Sequence, residues 1–217
     1  MEKIVNGASL QPLSGERPKR IVLLLHGFGS SGADMIALAP AWQQAMPETL
    51  FLAPHAPQRG PMHGGYQWWP LGALSPAALA VGAASAAPAI DAFIDRKLDQ
   101  YSLSEADLAL VGFSQGTMVA LHVGLRRPGQ LAAIVGYSGM LAGTADLRAE
   151  TLYKPPILLI HGSQDNVVPP AALRIAEKEL QRLRLPVTTH LSMGLDHSVD
   201  LEGLNLGCAF VTNAFDR

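Results

Sequence analysis

The sequence predicts an α/β sandwich with a mostly parallel central sheet and helices on both faces, and two observations carry that expectation. Five short, continuous apolar runs end in turn residues, and amphipathic segments of helical period separate them. A run that is apolar without alternation suits a strand buried on both faces, as in a parallel sheet covered by helices. Strand and helix alternate from residue 20 to the end, the pattern of right-handed crossovers.

The runs are RIVLLLHGFG (20–29), TLFLAPHAP (49–57), LALVGFSQG (108–116), LAAIVGYSG (131–139) and PILLIHGSQD (156–165). Among the intervening segments, AIDAFIDRKLDQY places Ile90, Phe93, Ile94 and Leu98 on one helical face, with Asp91, Asp95, Arg96 and Asp99 elsewhere. The segment GTMVALHVGLRR ends at Arg127 before Pro128, and AALRIAEKELQRLRL aligns Leu173, Ala176, Leu180 and Leu183. VTTHLS is strand-like and LEGLNLGCAFVTNAF is a terminal helix-like stretch. Residues 54–80, rich in proline and holding Tyr66, Trp68 and Trp69, break the alternation and read as an ordered surface loop roofing a pocket.

A chain of 217 residues suits one domain spanning 1–217, long enough to enclose a large core. With 48% hydrophobic and 16% charged residues it is a compact globule rather than a disordered chain. A formal net charge of -2 removes most of the electrostatic case for nucleic acid or an anionic membrane as partner. The runs IVLLL and PILLI fall far short of the roughly 20 residues that cross a bilayer, so no membrane insertion is expected. The N-terminal residues are mixed in charge and lack a signal-like apolar run, which points to the cytoplasm. Cys208 is the lone cysteine, so neither an intrachain disulfide nor a cysteine metal cluster is expected.

The chemistry centres on GFSQG, where Gly112, Ser114 and Gly116 fit G-x-S-x-G between a strand-like and a helix-like segment. In such a nucleophile elbow the serine stands on a tight strand-to-helix turn, and the glycines let neighbouring backbone approach without a Cβ clash. A serine hydroxyl needs a base, and the base needs an orienting acid. His197, in the loop MGLDHSVD, is the candidate base, whereas His190 sits inside a strand-like run and reads as a sheet-face side chain. Asp165, delivered to a loop by the run PILLIHGSQD, is the candidate acid and keeps the chain order Ser, acid, His. Asp196 is its nearest rival, and Asp165 could alternatively cap the turn before Pro169 and Pro170. The oxyanion donors expected are the backbone N–H groups of Gln115, which follows the serine, and of Phe28 in the HGFG turn. His26 and His161 end apolar strands before glycine and read as structural; no metal site is expected. The turn at Gly27–Gly29 is not read as a dinucleotide-binding fingerprint.

Taken in order, LLLHGFGSSG, PHAPQRG, GFSQG, HGSQDNVVP and DHSVD resemble the phospholipase/carboxylesterase branch of the α/β-hydrolases, which includes bacterial carboxylesterases and acyl-protein thioesterases. The resemblance spans nearly the whole chain. It implies the α/β-hydrolase fold, Ser114 as nucleophile, Asp165 as acid, His197 as base, Phe28 and Gln115 amides as oxyanion donors, and no cofactor. Two features depart from the family pattern: Asp196 precedes His197 where members often carry glycine, and the segment after WWP is alanine-rich. The expected activity is a broad-tolerance serine carboxylesterase acting on a small-molecule ester or thioester. The alternative is an acyl-protein thioesterase or lysophospholipase for long acyl chains, with Met62, Tyr66, Trp68, Trp69 and Leu71 lining an acyl groove, although those side chains equally suit core packing. A binding protein that keeps the fold without catalysis is a third reading. Some family members form dimers, so a homodimer is among the implied assemblies.

Overall fold

The computed structural model describes residues 4–61, 64–72, 75–143, 147 and 153–217. Among these the chain forms β1 (Val5–Leu10), β2 (Arg20–Leu25), the short helices α1 (Gly32–Met35) and α2 (Ala39–Gln43), and β3 (Thr49–His55). The hairpin strands β4 (Gln58–Arg59) and β5 (Tyr66–Gln67) lead to α3 (Pro76–Tyr101), β6 (Leu108–Phe113), α4 (Gln115–Gly124) and β7 (Ala133–Tyr137). The chain closes with β8 (Ile157–Gly162), α5 (Ala171–Arg182), β9 (Val187–Ser192) and α6 (Leu201–Phe215). The main sheet has the order β1-β3-β2-β6-β7-β8-β9. All neighbours pair in parallel except β1, which runs antiparallel to β3.

The period of two within each apolar run divides the core. Ile21, Leu23 and Leu25 of β2, with Leu108 and Leu110 of β6, face the layer containing α3, α4 and α5. Val22, Leu24, Ala109 and Val111 face Met35, Trp42 and Val211 of the other helical layer. Both faces are covered, so every position of a central strand is apolar and the runs show no alternation. The five expected strands all form. β1 was not expected, because VNGASL is short, polar in part and lies on the sheet edge, where one strand face of hydrogen bonds stays open.

The segment after β3 departs most from expectation. Residues 76–80, assigned by the sequence to a surface loop, are the first turns of α3, which continues through Pro88. Proline normally marks a first helical turn, so Pro88 makes the helix look as though it starts at residue 89. With 26 residues and a mean hydropathy of 1.6 in its most apolar window, α3 is long and apolar enough by length and composition to cross a membrane. Its inward face, however, is core: Leu79, Ala83, Ala86, Ile90, Phe93, Ile94 and Leu98 are buried at three- and four-residue spacing. Gly82 has a packing reason, since a Cβ there would meet the Trp69 indole at 2.3 Å.

Candidate active site

Ser114 stands between β6 and α4 with φ 53 and ψ -115, a backbone conformation rare for a residue with a side chain. Neighbours over-determine it. Ser114 N–H donates to Tyr137 O at 2.9 Å, and Thr117 Oγ1 lies 2.8 Å from both Gly112 O and Tyr137 O. A Cβ on Gly116 would sit 1.9 Å from Leu25 O, and one on Gly112 would sit 2.4 Å from the Gly116 backbone. The two glycines of the motif are therefore required by close backbone approach. The Ser114 hydroxyl makes no capping bond to α4 and is left for other work.

Parallel pairing puts the carboxyl ends of β6, β7, β8 and β9 on one edge of the sheet, which carries the loops of Asp165, after β8, and His197, after β9, to the same edge as Ser114. His197 Nδ1–H donates to Asp165 Oδ2 at 2.7 Å. Its ring lies 5.0 Å from that of Phe113, the residue before Ser114. With Nδ1 engaged, Nε2 is the ring nitrogen free to take a proton. Asp165 Oδ1 accepts Val167 and Val168 N–H at 2.9 and 2.8 Å, so one side chain caps its turn and holds the His197 ring at the same time. Burial alone would raise the Asp165 carboxyl, but the hydrogen bonds from His197, Val168 and Val167 and the charge of His197 hold it below the usual carboxylate range. Asp196 is otherwise occupied: its Oδ1 accepts Ser198 Oγ–H at 2.6 Å.

The structure also brings the HGFG turn to Ser114, since a Cβ on Gly27 would meet Phe113 Cδ1 at 3.1 Å and Ser114 Cβ at 3.3 Å. In that turn Gly29 N–H donates to Tyr66 O and Ser30 N–H to Gly27 O, with Phe28 between them. Gln115 opens α4, so its N–H has no acceptor a turn earlier in the helix. His26 braces the loop from below: its Nδ1–H donates to Gly27 O at 2.7 Å and its Nε2 accepts Ala56 N–H at 3.0 Å. Burial pushes His26 down to about 4, so it stays neutral and keeps that donor–acceptor pattern. Gly27, Gly29 and Gly32 do follow the spacing of a dinucleotide-binding fingerprint. The helix they open is only the four-residue α1, however, and the turn is enclosed by Ser114 and the β4–β5 hairpin.

A family model described as Phospholipase/Carboxylesterase matches residues 12–213. The chain belongs to the phospholipase/carboxylesterase family. Within the reach of that family, the crystal structure of esterase PE8 superposes with a TM-score of 0.93 at 41% identity, covering 98% of this chain and 99% of that one. Acyl-protein thioesterase 1 of Kluyveromyces lactis is 29% identical over 90% of this chain and 92% of its own length. The Escherichia coli esterase YpfH is 22% identical over 86% and 80%. The phospholipase/carboxylesterase fold is that of an α/β-hydrolase, with its mostly parallel sheet between two helical layers.

The expected acyl-groove residues divide. Met62 lies outside the described residues. Trp68 and Trp69 are core side chains, 2% and 5% exposed; Trp68 Nε1–H donates to His26 O and so supports the HGFG turn from within, whereas the Trp69 indole packs against Gly82 of α3. Tyr66 and Leu71 are partly buried against that core. An open apolar groove of about 510 Å³ lies elsewhere, lined by Pro76, Leu79 and Ala80 of α3, by Met140–Gly143 after β7, and by Ala172 and Ile175 of α5. The Gln115 side chain was not foreseen as a contributor: its Oε1 accepts Trp68 N–H at 3.0 Å and its Nε2 donates to Trp69 O at 2.9 Å. It ties the Ser114 turn to a segment 47 positions away, a contact that no local spacing signals.

Proposed function

We propose that the chain is a serine carboxylic ester hydrolase, with Ser114 as nucleophile, His197 as base, Asp165 as acid, and the N–H groups of Phe28 and Gln115 as the oxyanion hole. The observation that carries this reading is the Asp165–His197 hydrogen bond beside a serine of rare backbone conformation whose hydroxyl does not cap α4. Ser114 Oγ attacks the acyl carbonyl carbon while His197 Nε2 takes its proton, and the oxyanion settles between the two amides. The tetrahedral intermediate collapses as His197 protonates the leaving oxygen or sulfur. Water, activated by His197, then releases the acid from Ser114. The test is a fluorophosphonate probe: it labels the wild-type protein at Ser114 and leaves Ser114→Ala unlabelled. Labelling elsewhere, or ester hydrolysis that survives the substitution, overturns the assignment.

The groove beside Met140 favours a second reading in which longer acyl chains, as esters or thioesters, are also accepted. The relatives called acyl-protein thioesterase agree with it. A cytoplasmic location and a small-molecule substrate belong to the same proposal, and the free, half-buried Cys208 suits a reducing compartment.

A further inference from the structure

Arg59 and Tyr66 are directly opposite one another in the β4–β5 hairpin. The Arg59 guanidinium lies 4.4 Å above the Tyr66 ring, and the imidazole of His55 stacks on Tyr66 at 4.3 Å with the planes 12° apart. The stack is anchored to the oxyanion turn. Gly29 N–H donates to Tyr66 O and Tyr66 N–H donates to Ser30 O, both at 2.8 Å, and a Cβ on Gly65 would meet Gly29 O at 2.2 Å. His55 is held by accepting Gly32 N–H at its Nδ1. Arg59 is exposed and makes no ion pair among the described residues, in contrast to Arg20 and Arg127. A cation fixed on an aromatic face keeps its outer edge free for an anion, and its planar fork matches carboxylate, sulfonate or phosphate.

Its distance from the chemistry follows from the topology. β3, which ends at His55, neighbours β2, which leads into the oxyanion turn, and β2 neighbours β6, which leads into Ser114. Two inter-strand spacings separate the backbone of His55, at the near end of the stack, from the end of β6 before Ser114, roughly 10 Å along the carboxyl edge of the sheet. That is the span of an acyl chain or leaving group of about six to eight atoms. Asp34 is the nearby carboxylate on this side, and hydrogen bonds from Ser31 and Ser30 tie it to the start of α1.

We propose that the Arg59–Tyr66–His55 stack is a subsite for an anionic group carried at the far end of the substrate, making Arg59 a specificity-determining residue. The inference rests on Ser114 being the nucleophile of an ester hydrolase. Two arms distinguish the source of the anion. In one, p-nitrophenyl hydrogen pimelate is compared with p-nitrophenyl heptanoate, so that the charge sits on the acyl chain. In the other, 4-sulfonatophenyl butyrate is compared with 4-(methylsulfonyl)phenyl butyrate, so that it sits on the leaving group. Wild type is expected to favour the anionic member of one pair in kcat/KM. Arg59→Gln lowers that anionic-to-neutral ratio roughly tenfold, as expected for loss of a charge-assisted contact, and 0.5 M salt shrinks the difference. An unchanged ratio in both pairs overturns the proposal, and so does an equal loss on neutral and anionic esters, which marks Arg59 as a prop for Tyr66. Calorimetric titration of Ser114→Ala with the pimelate ester and the sulfonated ester, with and without Arg59→Gln, separates the two claims. Arg59-dependent binding without turnover in the wild type sinks the hydrolase assignment and keeps the subsite, whereas turnover without Arg59 dependence does the reverse.

Discussion

Asp165 carries three obligations with one carboxylate: two backbone N–H groups on Oδ1 and the His197 ring on Oδ2. His161 Nε2 also lies 3.3 Å from Oδ2 while bonded to Val168 O. Because these donors hold the carboxyl below its usual range, Asp165 is ionised throughout the neutral and mildly acidic range, as a partner of an imidazolium must be. Asp165→Asn keeps the shape but favours the wrong His197 tautomer. We expect kcat on a p-nitrophenyl ester to fall roughly 10⁴-fold with little change in KM. A loss below tenfold in steady-state kinetics would exclude Asp165 as the orienting acid. Chain order proposes Asp165 as the acid, and the contacts favour it over Asp196, which folds back onto Ser198.

Elements position these residues through their ends, and one helix is fixed from outside the site. Arg127, 5% exposed just past α4, binds Asp91 and Asp95 of α3 and Glu105 of the short turn before β6. One cation thereby ties α3, α4 and the entry to β6. Two of its partners are well exposed and would rehydrate if it were removed, so the cost sits below that of breaking a fully buried pair. Arg127→Met is expected to lower unfolding free energy by about 2 kcal/mol while kcat per folded molecule stays the same; an unshifted urea midpoint would show the cluster to be ornamental. The sequence marked Asp91 and Asp95 as off the apolar face of a helix, which they are. It could not show that they converge on Arg127, because i, i+4 spacing reports a shared helix face and says nothing of what crosses it.

Across the whole molecule, acid stability should reflect His26. The unfolded chain protonates this residue near 6.5, whereas the native state resists down to about 4. Between those values the unfolded state binds more protons, so stability falls as pH drops through that window, by about 3 kcal/mol at most. His55, lowered by burial and by Arg59, acts in the same direction. Urea midpoints at pH 7 and pH 4.5 should therefore diverge more in wild type than in His26→Gln; equal divergence would remove His26 as a cause. The groove of about 510 Å³ bears on substrate range. Across p-nitrophenyl esters from acetate to palmitate, kcat/KM should rise beyond butyrate, and a maximum at two to four carbons would argue that the groove takes no part.

The fold class was legible in the chain because it rests on local pattern, and the same kind of pattern is what proposes Ser114, Asp165 and His197 as a triad. Apolar runs without alternation mean two covered sheet faces, and a serine between glycines at a strand end means a turn too tight for side chains. The substrate side was not legible. In sequence Trp68 and Trp69 suit either the walls of a groove or the core; both are core, the Trp69 indole because α3 starts a dozen residues earlier than Pro88 suggests and offers Gly82 as its seat. Where apolar side chains meet depends on which helix covers which strand. Long-range packing decides that, so only the tertiary structure could separate the wall of the core from the wall of the groove.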